Sequence, residues 1–205
     1  MKNPNIKAII FDFGNVLLEW DPRYLYRRFF PDDPERMEHF LQEINFMEWN
    51  SHQDQGRPFA EGVAILSREF PQYTHLIRAY QDHWIESLGG SLTGTVEILK
   101  ELKQAGYPLY GLSNWSAETF PHVRQKHDFF DLLDDMVISG EVGQVKPHPE
   151  IFEIALERIG RPARECLFID DSPANIHQAQ KMGFEVVHFH SAEQLRAALH
   201  RLDIL

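Results

Sequence analysis

From residue 89 onward, short apolar runs alternate with longer amphipathic stretches, and no other feature of this 205-residue chain restricts its fold as tightly. Strands are read over 108–112, 136–139, 166–169 and 186–189. A helix over 96–105 is closed by Gly106, where a left-handed cap residue is wanted, and another is read over 116–126. Lys146-Pro147-His148-Pro149 opens a helix with Phe152, Ala155, Leu156 and Ile159 on one face and Gly160 as its stop. Ser172 reads as an N-cap followed by Pro173 at the first helical position. Ser191-Ala192-Glu193-Gln194 is a capping box ahead of the stripe Leu195, Ala198, Leu199 and Leu202. Crossovers of this length join parallel strands, so the pattern predicts an α/β fold with a parallel sheet covered on both faces.

A first strand lies much earlier. Ile9-Ile10-Phe11 runs apolar into a single carboxylate, Asp12, and then into Phe13-Gly14-Asn15 and the apolar pair Val16-Leu17. This is the pattern of a short buried strand ending at a loop that needs backbone freedom. The rhythm then changes. Residues 18–87 are aromatic-rich and helical in period, without a convincing strand. Helices are read from Pro22 (Leu25, Phe29, Phe30), over 35–46 (Met37, Phe40, Leu41, Ile44), over 59–70 (Val63, Leu66, Phe70) and over 75–88 (Leu76, Ala79, Tyr80, Trp84). The polar, glycine-containing stretch 50–58 reads as a loop, and Gly89-Gly90 punctuates the return to the sheet. The division is therefore a core of residues 1–18 and 89–205 with a helical insertion, 19–88.

Composition narrows the partners. A formal net charge of −11 repels nucleic acid and anionic membranes at long range, whereas a local cation suffices to bind a small phosphorylated molecule. One cysteine, Cys166 in an apolar run, excludes a disulfide within the chain and suits a reducing cytoplasm. Met1-Lys2-Asn3-Pro4-Asn5 shows no leader pattern, and no stretch is long enough to span a bilayer. A cytoplasmic location is the expectation. The 11 histidines lack zinc-ligand spacing, and His148 reads as the residue leading into a helix.

Polar residues gather at one kind of place. Asp12, Ser113-Asn114 and Asp170-Asp171 fall at the C-terminal ends of predicted strands, and Lys146 opens a helix. In a doubly wound sheet those ends share one edge. Two carboxylates at ~4 Å cost on the order of 4 kcal/mol at an effective dielectric of 20, so such a cluster needs Lys146 and a divalent cation as counter-charge. Oxygen-only ligands favour Mg²⁺. Asp12 is then a nucleophile, Lys146 and the metal hold negative charge, and Ser113 with the Asn114 amide binds a phosphoryl oxygen. A strand-end aspartate that merely caps a turn is the plainer reading of Asp12.

Phe11-Asp12-Phe13-Gly14-Asn15-Val16, Leu112-Ser113-Asn114, Lys146-Pro147 and Phe168-Ile169-Asp170-Asp171-Ser172 resemble, in order and spacing, the four motifs of the haloacid dehalogenase (HAD) superfamily. The resemblance implies a Rossmann-like doubly wound core with a mobile helical cap inserted after the first motif. It implies Asp12 as a covalent nucleophile and, as in most members, a Mg²⁺-dependent phosphatase. Asp171 would be a metal ligand together with Asp12 and the backbone carbonyl of Gly14, with Asp170 a further ligand or a partner of one. Phosphatases of the family usually carry a second aspartate, a general acid, where this chain has Gly14. General acid catalysis contributes ~10²–10⁴-fold, so a slow enzyme or a substitute acid is expected. Some sugar-phosphate phosphatases of the family also have glycine there. Glu19, Asp21, His52 and Asp54 are the candidate substitutes. Trp20, Trp49, Asn50 and Arg57 flank the cleft in this reading, the tryptophans as packing between cap and core, and Trp115 lines the pocket or fills the core.

The expected function is hydrolysis of a small phosphorylated metabolite, such as a sugar phosphate, through a phospho-aspartate. A 2-haloacid dehalogenase is the first alternative, with Asp12 as nucleophile and no metal. Gly14 suits it, because a halide leaves unprotonated, but an acidic pair without a metal would be costly. A non-catalytic phospho-ligand-binding protein is the second. A phospho-accepting signalling receiver fits poorly, because its acidic pair comes early in the chain and here it comes last.

Overall fold

In the computed structural model, which describes residues 5–205, the strands are β1 (Ala8–Phe11), β2 (Leu18–Trp20), β3 (Leu88–Ser91), β4 (Leu109–Ser113), β5 (Asp135–Ile138), β6 (Cys166–Asp170) and β7 (Glu185–His188). Residues 1–4, read above as the start of the core and as free of a leader pattern, lie outside the described residues. The five core strands form one parallel sheet in the order β5-β4-β1-β6-β7. All four residues of β1 are buried, as expected of a central parallel strand covered on both faces.

Successive side chains of β1 serve opposite faces. Ile9 and Phe11 join Ile98, Leu99 and Leu102 of α6 (Thr93–Gln104) and Leu195 and Leu199 of α11 (Ala192–Arg201). Ala8 and Ile10 join Ile151, Phe152 and Ala155 of α9 (Pro149–Ile159) and Ile176 and Ala179 of α10 (Pro173–Lys181). Cys166 is fully buried in that second cluster. This is the doubly wound α/β architecture, and the chain reverses its direction of winding beside β1, where ligands bind such sheets.

The insertion holds α1 (Pro22–Tyr26), α2 (Pro34–Glu43), α3 (Phe46–Asp54), α4 (Phe59–Glu69) and α5 (Thr74–His83). Its own core is aromatic: the Tyr26 ring meets Phe40, Phe46 and Tyr80, and Trp49 meets Phe46, Phe59 and Tyr80. The two crossings between core and insertion pair with each other, β2 antiparallel to β3, where the sequence suggested no strand in 18–87. Three residues are too few for a periodic signal to emerge.

Further departures concern helix limits. The stretch 50–58 is not all loop, since α3 continues to Asp54. Asn50, Ser51, His52 and Asp54 are weak helix formers, and packing of Phe46 and Trp49 holds the helix instead. The helix expected over 116–126 shrinks to α7 (Phe120–Arg124), with Pro121 in its first turn. Lys146 does not open a helix; a turn carries it, and α9 begins at Pro149 with His148 as its backbone N-cap.

The C-terminal end of α3 is clasped to the core. Ser139 Oγ, from α8 (Ser139–Val142), donates to the Asp54 carbonyl, and Phe59 N–H donates to Glu118 Oε1 at 3.0 Å. Gly56, with φ +107°, lets the backbones approach: a Cβ there would lie 3.2 Å from the Gly140 carbonyl oxygen. Among the described residues, no helix is long and apolar enough to cross a membrane.

Candidate active site

The end of β1 delivers Asp12 to the middle of the sheet edge, 7% exposed. Three donors converge on its Oδ1: the Phe13 N–H at 2.7 Å, Ser113 Oγ at 2.8 Å and Lys146 Nζ at 2.9 Å. Each comes from a different place, the loop after β1, the end of β4 and the turn before α9. Oδ2 is left to face the cavity beside it. Fixing one carboxylate oxygen with donors orients the other as a nucleophile.

Lys146 is the hub. Its Nζ lies 2.9 Å from Asp12 Oδ1, 2.7 Å from Asp170 Oδ2 and 2.7 Å from the Leu112 carbonyl. Burial by itself would lower the pKa of this ammonium, but Asp12 and Asp170 outweigh it and the net shift is upward. The Asn114 side chain holds the lysine's backbone from both ends, accepting from Lys146 N at 2.8 Å and donating to Lys146 O at 2.9 Å. That side chain is committed to placing the lysine.

Asp170 and Asp171 part company. Asp170 is fully buried, and its oxygens accept from Lys146 Nζ, Ser172 N–H and Asn175 Nδ2 at 2.7–3.0 Å. Asp171 is half-buried and lines the cavity. Burial raises its pKa, Asp170 adds to the rise, and Lys146 and the Asn15 side chain oppose it. Asp12 is pushed up to about 7, by burial first, against Lys146 and with Asp170 and Asp171 reinforcing. One lysine does not neutralise three carboxylates.

Asp12, Asp170 and Asp171 each offer an oxygen, all within 4.8 Å of one another. An all-oxygen, net negative donor set with unsatisfied charge suits a hard divalent cation. Since Asp170 is already saturated with donors, Asp12 and Asp171 are the residues that would hold such an ion, with Gly14 lining the same cavity.

The cavity is about 360 Å³ and lies between the sheet edge and the helical insertion. Its polar floor is Asp12, Asn114, Lys146, Asp171 and Asn175. Its far wall is apolar, with Trp20, Met47, Trp84 and Trp115. From α3, Asn50, Ser51 and Asp54 also face it. Burial pushes the Asp54 carboxyl up to about 7, with the Ser116 N–H opposing and the Asp12 charge adding.

The remaining candidates lie elsewhere. Asp21 caps α1, accepting from Arg23 N at 2.9 Å. Glu19 faces a separate surface groove, and His52 is exposed and absent from the cavity lining. Trp49 is buried within the cap, its Nε1 donating to Gly62 O at 3.0 Å, and Arg57 bonds Gln53 and the Trp49 carbonyl. Trp115 both lines the cavity and packs edge-on against Trp84. Sequence reasoning missed Asn175, which binds both oxygens of Asp170, and also Met47 and Trp84. The position of Asn175 one turn past Asp170, on the helix that follows, was the available signal.

Residues 6–183 match the family model of the haloacid dehalogenase-like hydrolases. The chain is 29% identical over 193 residues to a sesquiterpene phosphatase of Aspergillus oryzae, covering 89% of each. It is 25% identical to a D-ribitol-5-phosphate phosphatase of Bacteroides thetaiotaomicron, over 88% of this chain and 90% of the relative. A HAD family enzyme of Bacteroides thetaiotaomicron, solved as a magnesium complex, superposes with a TM-score of 0.73 at 24% identity, over 96% of this chain and 99% of that one. With the family model spanning most of its length, this chain belongs to the haloacid dehalogenase-like hydrolases.

Proposed function

We propose that the protein is a Mg²⁺-dependent phosphomonoester hydrolase working through phospho-Asp12. The observation that carries this reading is the partition of the Asp12 carboxylate, with Oδ1 held by three donors and Oδ2 facing a cavity whose floor also presents Lys146 and Asp171.

The chain's own groups account for most of the work. Asp12 Oδ2 attacks phosphorus, the bond to the ester oxygen breaks, and water then hydrolyses the acyl phosphate. Lys146 keeps Asp12 ionised and neutralises developing charge on the transferring group. Ser113 orients the nucleophile, and Asn114, Asp170 and Asn175 fix the lysine. A divalent ion held by Asp12 and Asp171 would supply further charge neutralisation and orient the phosphoryl oxygens. The clasped cap excludes bulk water and lends its apolar wall to the organic part of the ester.

A halide-displacing site would leave Asp171 as a half-buried carboxylate with its pKa raised and only Lys146, already paired with Asp12 and Asp170, as counter-charge, which disfavours the dehalogenase. For substrate, the phosphatase relatives bracket the range from a terpenoid to a polyol phosphate. Trp20, Met47 and Trp84 support a small metabolite with a largely apolar body ahead of the sugar phosphate expected from the resemblance. The single buried cysteine supports the cytoplasm as its place of work.

The test is phosphate release from an aryl phosphate, with Mg²⁺ and with EDTA, for wild type and Asp12→Asn, with chloride release from a 2-chloro acid alongside. Metal-dependent phosphate release lost in Asp12→Asn is expected. Metal-independent chloride release would establish the dehalogenase instead, and neither product would leave a non-catalytic binder of phosphorylated ligands.

A further inference from the structure

An alkoxide leaving phosphorus is a strong base and needs a proton, and the cavity holds few groups able to give one. Its titratable lining residues are Asp12, Asp54, Lys146 and Asp171. Lys146 is enclosed by Asp12, Asp170 and the Leu112 carbonyl. Asp12 attacks, and Asp171 belongs to the acidic cluster. Gly14 contributes no side chain, although a Cβ there would meet nothing within 4 Å. Asp54 remains. It comes from the cap, on the stripe Met47, Asn50, Ser51 and Asp54 that α3 turns toward the cavity. Its Oδ2 accepts from Asn50 Nδ2 at 2.9 Å. Asn50 is 7% exposed, and its Oδ1 is buried with no hydrogen-bond partner. A buried orphan acceptor beside a carboxyl on a cavity wall marks a place where a ligand donor is expected.

We propose that Asp54 is the proton donor to the leaving oxygen and the proton acceptor from water in the second step, so that the cap completes the catalytic set. This deepens the phosphatase reading and rests on it. In the first step the Asp12 Oδ2–phosphorus bond forms and the bond from phosphorus to the ester oxygen breaks. The departing oxygen keeps the electron pair and takes the proton from the Asp54 carboxyl, giving an alcohol, phospho-Asp12 and ionised Asp54. In the second step the Asp54 carboxylate takes a proton from water as its oxygen attacks phosphorus. The bond from phosphorus to Asp12 breaks, returning inorganic phosphate, ionised Asp12 and protonated Asp54. A free carboxyl would be ionised at neutral pH. Here burial raises the carboxyl to about 7, so that a protonated form persists at neutral pH, with Asp12 just after β1 and the Tyr80 hydroxyl on α5 as the titratable groups facing it. The Ser116 N–H and the clasp from Ser139 hold the group in place.

Leaving-group dependence separates this role from a structural one. Wild type, Asp54→Asn, Gly14→Asp/Asp54→Asn and Asp12→Asn are compared on p-nitrophenyl phosphate, whose leaving group departs unprotonated, and on a panel of phenylalkyl phosphates. Asp54→Asn should lower kcat/KM, which reports the step in which the leaving group departs, by about 10²-fold or more on the alkyl esters and by less than about tenfold on the aryl ester. The double variant should recover part of the alkyl activity, because the open space at Gly14 admits a carboxyl. Equal losses of kcat/KM on both ester types, or no loss, would overturn the proposal, as would a wild type that cleaves the aryl ester and none of the alkyl panel. Failure of the phosphatase reading looks different: wild type would then be inert toward every ester.

Discussion

Asp12 and Asp54 face one cavity with pKa values both pushed to about 7, each chiefly by burial, yet the molecule holds them in opposite ways. Asp12 belongs to a network of charged and polar groups delivered by three strand ends and a turn, in which Lys146 alone contacts two carboxylates. Asp54 belongs to a helix of the insertion and is held by the Asn50 amide, the Ser116 N–H and, at its own carbonyl, the Ser139 hydroxyl. On the core side, position is over-determined, and removing one group strands the others. On the insertion side Asp54 is held by fewer contacts, none of them to a charged group, beside an apolar wall whose Met47 is 60% exposed. The floor holds its groups through charge, and the roof through a helix face and neutral hydrogen bonds.

Substitutions can break that contrast. Asp12→Asn should lower turnover by roughly 10⁴-fold or more while the protein stays folded, since Lys146 keeps Asp170 as its partner; activity assays with circular dichroism check both halves. Lys146→Met should abolish turnover and also cost about 3–5 kcal/mol in denaturant unfolding, because two buried carboxylates lose their counter-charge. Removing divalent ions with EDTA should stop phosphate release, and Mg²⁺ should restore it and raise Tm, by an amount equivalent to about 2.7 kcal/mol at a hundred times its Kd.

The cap should respond differently. Trp20→Ala should raise KM for apolar esters about tenfold to a hundredfold with kcat little changed, a binding loss where the core variants show a rate loss. The smallest effect is on stability. Asp54 has a folded pKa of about 7 against an ordinary value of 3.8, so its proton favours the fold below 3.8 and that contribution disappears as pH rises through 7. Asp54→Asn should therefore be more stable than wild type at pH 8.5, by about 1–2 kcal/mol after discounting for partial exposure, and the gain should shrink toward pH 4. Thermal unfolding at the two pH values reads it directly.

The same contrast governs how much of the molecule was legible in the sequence. Strand-end chemistry is written locally: Ile9-Ile10-Phe11 announces a buried strand, and the residue that ends it falls at the sheet edge whatever its exact limits. Parallel order and double winding follow from the spacing of such runs. Lys146 was assigned to the start of a helix and sits three residues ahead of α9, which hardly matters, because its partners define its place. The cap is another matter. Residues 50–58 look like a loop because Asn50, Ser51, His52 and Asp54 have low helix propensity, and only tertiary packing of Phe46 and Trp49 overrides it. Losing that helix meant losing the stripe that aims Asp54 and Asn50 at Asp12. Asp54 was one of four equivalent candidates by type; the fold alone separates it from Glu19, Asp21 and His52. Nor does spacing reveal that the Asn114 side chain holds Lys146, since it does so through the lysine's backbone N–H and carbonyl rather than its side chain.

The central claim is a covalent bond between Asp12 and phosphorus. Enzyme mixed with an excess of aryl phosphate and Mg²⁺, quenched in acid within one turnover and digested, can be mapped by mass spectrometry. A phosphoryl group on the peptide carrying Asp12, absent without Mg²⁺ and absent from Asp12→Asn, is the predicted result. Turnover with no label on that peptide at any quench time, while phosphate accumulates, would contradict it.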